Sequence, residues 1–239
     1  MSKVELHVVD EAVSTNLLAK QAHSAEEGWC VIAAYQSGGR GMGSNSWESN
    51  RNENITGSLI LEPQFVAPHE CFLISMAVSL GIISFLDRLG VAASVKWPND
   101  IYVDGKKLAG ILIENEFTAR SVTRTIVGVG LNVNQQKFFN APNPVSLKQI
   151  TNKNYTIKHT AHTLFEHILQ SYALLEKNPA HIVKLYHSHL MGLGEVLRYR
   201  DNVEQFSGKI QNVATDGEIC IVDMAGTLRT YYFKEVQLV

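Results

Sequence analysis

Apolar positions along the chain change their spacing several times, and each change marks an element. Residues 4–9 and 29–35 are short runs rich in β-branched and aromatic side chains, the composition of strands, and the second is apolar enough to be buried. Between them Ser14-Thr15 supplies hydroxyl N-caps for a helix. Residues 55–61 are strand-like again. Phe72, Met76, Leu80 and Ile83 then recur every three or four positions, predicting a helix that stops near Gly90 with Arg88 in its last turn. Residues 95–97 predict a strand, 102–106 a hairpin turning at Asp104-Gly105, 108–114 the returning strand and 125–133 another. Leu164, Phe165, Ile168, Leu169 and Tyr172 give residues 160–176 helical spacing, Asn178-Pro179 ends that helix, and a shorter one follows to about Leu193.

From Gly194 the pattern shifts to short alternating strands at 195–200, 206–214, 218–224 and 227–233, with turn signals at Asp201-Asn202, Asp216-Gly217 and Ala225-Gly226. Mixed strands and helices followed by a run of strands predict an α+β protein in two parts, a larger domain at 1–190 and a small β-barrel at 191–239. With 239 residues, 45% of them hydrophobic, the chain has enough apolar surface for a core of that size.

Three segments carry candidate chemistry. Residues 38–47, GGRGMGSNSW, combine four glycines with one arginine, so backbone could approach an anion while Arg40 supplies charge. The same composition suits a plain mobile connection between strands, and the segment is neither GxGxxG nor GxxxxGK[ST]. Residues 96–100, KWPND, place Lys96 at a strand end before a Trp-Pro turn, where a lysine either stabilises a phosphate or carboxylate or simply sits at the surface. Residues 128–134, GVGLNVN, put glycines inside a strand, which means a close approach by another group or a bulge.

Charge and cysteines narrow the field. A formal net charge of -2, without a run of like charges, argues against nucleic-acid binding. Cys30, Cys71 and Cys220 lack metal or redox spacing, and Cys30 reads as core. No signal-peptide pattern opens the chain, and the charge-free run at 71–86 is shorter than the roughly 20 residues that span a bilayer, so a buried helix in a cytoplasmic protein is expected, with no membrane partner. His159, His162, His167, His187 and His189 have no HExxH or carboxylate company and read as helix-face histidines. Asp100 and Glu114 lie where an acid meets a turn or strand end and are not assigned to Mg²⁺.

In their order and spacing, STN at 14–16, YQ and then GRG within 35–41, KWPND, KLAGILIE at 107–114 and GVGLN closely resemble the biotin protein ligase family, over about residues 8–135. The resemblance implies a sheet and helices like the catalytic core of class II aminoacyl-tRNA synthetases, with an SH3-like C-terminal barrel. It implies that biotin is activated by ATP with Mg²⁺, and that biotinyl-5′-AMP then passes biotin to a lysine of a biotin carboxyl carrier protein domain. By the same resemblance Ser14, Thr15, Asn16 and Gln36 lie along biotin, Gly110 and Ile111 form the pocket wall, and Arg40, Gly41 and Met42 belong to a loop that closes over biotin and the adenylate. Lys96 touches the carboxylate or bridging oxygen and, with Arg40, is the catalytic expectation. Asn132 is expected at ATP, and Trp47 near the adenine or in packing. Relatives include monomers and homodimers.

One departure stands out. Where the family's usual pattern has further arginines after GRG, this chain has Met42, Gly43, Ser44 and Asn45, which predicts weaker retention of the adenylate. Lipoate ligases share the implied fold and adenylation logic, but GRG paired with KWPND resembles the biotin branch. A biotin-sensing repressor would need a DNA-binding domain ahead of Ser14, so a ligase without one is expected. A non-catalytic scaffold would not need Arg40 and Lys96.

Overall fold

The computed structural model describes residues 3–43 and 45–239. Seven strands, β1 (Glu5–Ala12), β2 (Trp29–Gln36), β3 (Ile55–Leu61), β4 (Ser94–Lys96), β5 (Asp100–Val103), β6 (Lys106–Phe117) and β7 (Val122–Leu131), form one sheet. Its order is β1-β2-β3-β7-β6-β5-β4. β1 and β2 pair in parallel through the crossover helix α1 (Thr15–Gln21), and every other neighbour is antiparallel. The mixed sheet and its helices bear out the α+β expectation.

One face of the sheet carries the main core. Helix α2 (Phe72–Arg88) is apolar all round, with Leu73 to Ile83 continuously buried, because α4 (Ile157–Lys177) covers its other side. The helical stretch Pro68–Arg88, of which α2 is the main part, is long and apolar enough to span a membrane, but 72% of its most apolar window is buried inside the fold, as in a core helix. The two helices run close together at Gly81, where a Cβ would lie 2.5 Å from the Ile168 Cα. Phe165 of α4 fills the space over Gly57 in β3, whose missing Cβ would meet the ring at 3.1 Å. On the opposite face α1 buries Ala19 against Ile60 and Ile126, and leaves the rest of that face open for the cavity described below.

The hairpin at Asp104-Gly105 is present, with φ of 48° and 72°, the paired left-handed conformations of a type I′ turn. Two predicted boundaries shift, and one element was missed. The strand expected at 95–97 is β4, and the chain leaves it at Trp97, before a cis Trp97–Pro98 peptide. The helix expected to reach Leu193 is α5 (Pro179–Ser188); residues after it pair with β4, His189 O accepting from Val95 N at 2.8 Å and Met191 N donating to Val95 O at 2.9 Å. The short helix α3 (Leu147–Thr151) was not anticipated, although Ser146 and Gln149 form a capping box that marks it.

The C-terminal strands β8 (Val196–Asp201), β9 (Gln205–Val213), β10 (Ile219–Asp223), β11 (Leu228–Tyr231) and β12 (Val236–Leu238) make a second, antiparallel sheet in the order β11-β10-β9-β8-β12. The last strand returns to pair with the first, and among the described residues no ladder joins β11 to β12. Among the described residues, hydrogen bonds tie this sheet to the strands and helices of the larger body. Trp97 Nε1 donates to Gly217 O at 3.0 Å, Phe72 N to Thr215 O at 3.1 Å, and Val213 N to His187 Nε2 at 2.9 Å. The His187 Nδ1–H is thereby left to donate to Val183 O, at 2.8 Å.

Candidate functional site

A cavity of about 560 Å³ opens on the α1 side of the large sheet and extends to the second sheet. Ser14, Thr15, Asn16, Gln36, Arg40, Gly41, Met42, Trp47, Lys96, Gly110 and Ile111 all line it. Residues from four separated motifs therefore share one hollow.

At its closed end a chain of hydrogen bonds links the start of α1 to the sheet. Gln36 Oε1 accepts from Thr15 N at 2.7 Å and lies 3.1 Å from Thr15 Oγ1. The Thr15 and Ser58 hydroxyls are 2.8 Å apart, Ser58 Oγ donates to Asn16 Oδ1 at 2.6 Å, and Asn16 Nδ2 donates to Glu114 Oε2 at 2.8 Å. Ser58 has one proton for two neighbours. Every group is satisfied if Thr15 gives its hydroxyl proton to Ser58 and Ser58 gives its own to Asn16. Ser14 occupies the N-cap position of α1 without capping it, so its hydroxyl faces the cavity instead. Among the described residues neither Ser14 Oγ nor Gln36 Nε2 has a protein partner, which leaves a hydroxyl and an amide donor for a ligand.

The strand glycines are explained by close approach, not by bulges. Gly128 faces the Asn16 amide, whose carbon a Cβ would meet at 3.0 Å. Gly110 and Gly130 are cross-strand partners on β6 and β7, in unbroken register, and together seat the Trp47 indole: a Cβ on Gly110 would meet Cζ3 at 3.1 Å and one on Gly130 would meet Cδ2 at 2.6 Å. Trp47 Nε1 is buried with no partner among the described residues. Lys107 Nζ stands 5.8 Å from the Trp47 ring and pairs with Asp100 Oδ1 at 2.7 Å.

Lys96 ends β4, half-buried, with Nζ 4.9 Å from the Tyr102 ring centroid and 3.5 Å from its hydroxyl. Such packing steadies the side chain while leaving its charge to the cavity. Asn99 fixes the turn that follows, its backbone O accepting from Ile111 N at 2.9 Å and its Nδ2 donating to Ile111 O at 2.5 Å. The glycine-rich segment is a small folded hairpin: Arg40 bridges to Ser46, Gly41 N donates to Asn45 O at 2.7 Å, and Trp47 N to Gly39 O at 3.1 Å. Arg40 itself is exposed and makes no ion pair among the described residues. Ser44, in the same segment, lies outside the described residues.

Asn132 is placed differently from the others. It lines a smaller adjoining hollow of about 60 Å³, and its Nδ2 donates to Val145 O at 3.0 Å and points to Lys107 O at 3.4 Å. Asp100 and Glu114 are occupied by Lys107 and Asn16. Cys30 is buried with its thiol pushed up to about 12 by burial and by the nearby Glu5 carboxylate, which suits core packing. Among the described residues no group of three His, Cys, Asp or Glu side chains gathers as a metal site.

Sequence reasoning missed Ser58 and Glu48. The Glu48 carboxylate accepts from the backbone N–H of Phe139, Asn140 and Ala141 at 2.9, 2.7 and 3.0 Å, tying the end of the glycine-rich segment to a distant turn. Burial pushes its pKa up, but these bonds and one from Gln135 outweigh it and hold the group below its usual value. An acid directly after Trp47 gives no sequence signal of such a distant contact.

Residues 9–132 match the Biotin/lipoate A/B protein ligase family. The chain is 31% identical over 232 residues to the Bifunctional ligase/repressor BirA of Bacillus subtilis, covering 90% of this chain and 68% of that protein. It is 34% identical over 138 residues to the Biotin--[acetyl-CoA-carboxylase] ligase of Mycobacterium tuberculosis, covering 55% of this chain and 50% of that one. A solved biotin protein ligase from Aquifex aeolicus, in complex with biotin and ATP, has the same fold, with a TM-score of 0.80 at 24% identity over 98% of each chain. By its motifs, its fold and these likenesses, the chain belongs to the biotin/lipoate A/B protein ligase family.

Proposed function

We propose that this protein is a biotin protein ligase, which forms biotinyl-5′-AMP from biotin and ATP and transfers biotin to one lysine of a biotin carboxyl carrier protein domain. The observation that carries this reading is the single cavity that joins a buried hydroxyl and amide network at one end to Lys96 and Arg40 at the other. A ureido ring has N–H donors and a carbonyl acceptor, and Ser14, Thr15, Asn16 and Gln36 offer complements to both. A dithiolane has no N–H or carbonyl to offer and would leave the two free groups, Ser14 Oγ and Gln36 Nε2, unpaired at a cost of about 1–3 kcal/mol each, which favours biotin over lipoate.

In the first step a biotin carboxylate oxygen bonds to the α-phosphorus of ATP as the bond to the bridging oxygen breaks and pyrophosphate leaves. Lys96 and Arg40 are the cations placed to stabilise the negative charge on the carboxylate and the phosphate oxygens. In the second the acceptor amine attacks the acyl carbon, AMP leaves and the amine loses a proton. Trp47, seated on its two glycines, presents a ring face for the adenine. Asn132, whose Nδ2 is used on backbone carbonyls, keeps only its Oδ1 for ATP, in the hollow that adjoins Trp47. The cavity's carboxylates, Asp100, Asp201 and Glu235, are engaged by Lys107, by Tyr231 and Arg229, and by the Tyr232 N–H, so the chain's own donors do not compose a resident Mg²⁺ site, and we read the ion as arriving with the phosphates.

We further read the large sheet as class II aminoacyl-tRNA synthetase-like, and the second as an SH3-like barrel, which the return of β12 to β8 supports. A division into domains at 1–190 and 191–239, a cytoplasmic location and the absence of a nucleic-acid partner belong to the same reading. The test is incorporation of labelled biotin into a purified carrier domain with ATP and Mg²⁺, beside lipoate and beside Lys96→Ala. Biotin labelling that falls about 10²–10³-fold in the variant is expected. Labelling by lipoate instead, or none by either, overturns the proposal.

A further inference from the structure

The glycine-rich segment holds a single cation, Arg40, where a triphosphate and its leaving pyrophosphate demand several positive charges. The second sheet brings another to the same place. Lys234, on the turn between β11 and β12, lines the cavity, and its side chain lies over Gly43: a Cβ on Gly43 would collide with the ammonium group and meet Cε at 2.8 Å. Gly43 has φ of 69°, which a glycine adopts without strain.

Two further observations mark Lys234 out. Its own φ is 72°, and the other described non-glycine residues with positive φ, Asn52, Asp104, Asn143 and Asn152, are all Asn or Asp, which tolerate that region far better than lysine. Strain of this kind persists where the surroundings impose it, commonly at ligand sites. Its charge is also uncommitted. Among the described residues Lys234 makes no ion pair; the neighbouring Glu235 carboxylate accepts from Tyr232 N at 2.6 Å, and the nearest aromatic contact is the Phe233 ring, 5.7 Å away.

Resting on the ligase reading above, we propose that Lys234 binds the phosphates of ATP and supplies, from the second sheet, the charge that the glycine-rich segment lacks at positions 42–45. The second sheet then forms part of the nucleotide site. Binding of α,β-methylene ATP, which cannot be cleaved at the α-phosphate, would be titrated at saturating biotin for the wild type, Lys234→Met and Lys234→Arg. Met keeps the aliphatic stem over Gly43 and removes only the charge. The Kd for the analogue should rise about tenfold in Lys234→Met with a shallower salt dependence, and stay near wild type in Lys234→Arg. Biotin affinity and melting temperature should not change. An unchanged Kd in Lys234→Met overturns this assignment alone, as does a parallel loss of biotin affinity, which would point to a displaced segment. A wild type that binds no analogue overturns this assignment and the ligase reading together.

Discussion

At one end of the cavity Ser14, Thr15, Asn16 and Ser58 are at most 5% exposed, and the last three share their protons with one another; at the other end Arg40 and Gly43 are exposed, and the segment that carries them is held mainly by its own short hairpin. The first arrangement is rigid because Thr15, Asn16 and Ser58 hold one another through bonds whose loss would be costly, leaving Ser14 beside them free for a ligand. The second can open and close at little cost, since few bonds to the body must break. A ligase that holds a small hydrogen-bonding head group and also shields a reactive anhydride from water needs both behaviours in one cavity.

The sharpest way to break the fixed end is Gly128→Ala. The new methyl would push against the Asn16 amide in the middle of a paired strand, and overpacking of this sort costs about 1–3 kcal/mol. Denaturant unfolding should show that loss, and biotin affinity should fall with it, by at least about tenfold. Ser58→Ala is milder. It deprives Asn16 Oδ1 of its donor, and should lower stability by about 1–2 kcal/mol with a smaller loss of biotin affinity, measured the same way.

The join between the two ends is tested by pH. Because Glu48 titrates below its usual value in the fold, its bonds to the 139–141 turn contribute fully above the ordinary carboxylate range and are lost as pH falls through the lowered value. Amide exchange at Phe139, Asn140 and Ala141 should quicken on acidification, and Glu48→Gln should remove that pH dependence. The smallest effect on stability belongs to the open end. Arg40→Ala should change unfolding free energy by no more than about 0.5 kcal/mol, while release of biotinyl-5′-AMP becomes faster. A large stability loss there would abolish the contrast between the two ends.

Much of this contrast could be read from the chain. Alternation and helical spacing located the main strands and helices, and the glycines of GVG signalled either a close approach or a bulge, of which the Asn16 and Trp47 side chains make the first. The motifs named most of the cavity lining as well. What they could not convey was pairing at long range. Ser58 sits in a strand of apolar neighbours and looks like filler until α1 crosses above it, and Glu48 is one acid among 23 acidic residues until its three amide partners, some 90 positions on, fold back to it. Asn132 shows the same limit from the other side: a polar residue after strand glycines has a ligand's chemistry, and the sequence could not convey that its Nδ2 bonds to backbone carbonyls. Lys234 lies outside the motifs altogether, and only the placing of the second sheet brings it to Gly43.

The backbone bonds from Val95 to His189 and Met191 give the connector between the two sheets a second occupation. Val95 immediately precedes Lys96, so the segment that leads out of the larger body also serves as a pairing partner for the strand that delivers the lysine. A chimaera joined at residue 190, the seam that the change in sequence pattern suggests, would cut through this pairing. Exchanging C-terminal sheets between relatives should therefore preserve lysine placement only when residues 189–191 stay with the body they brace, whatever sheet follows them.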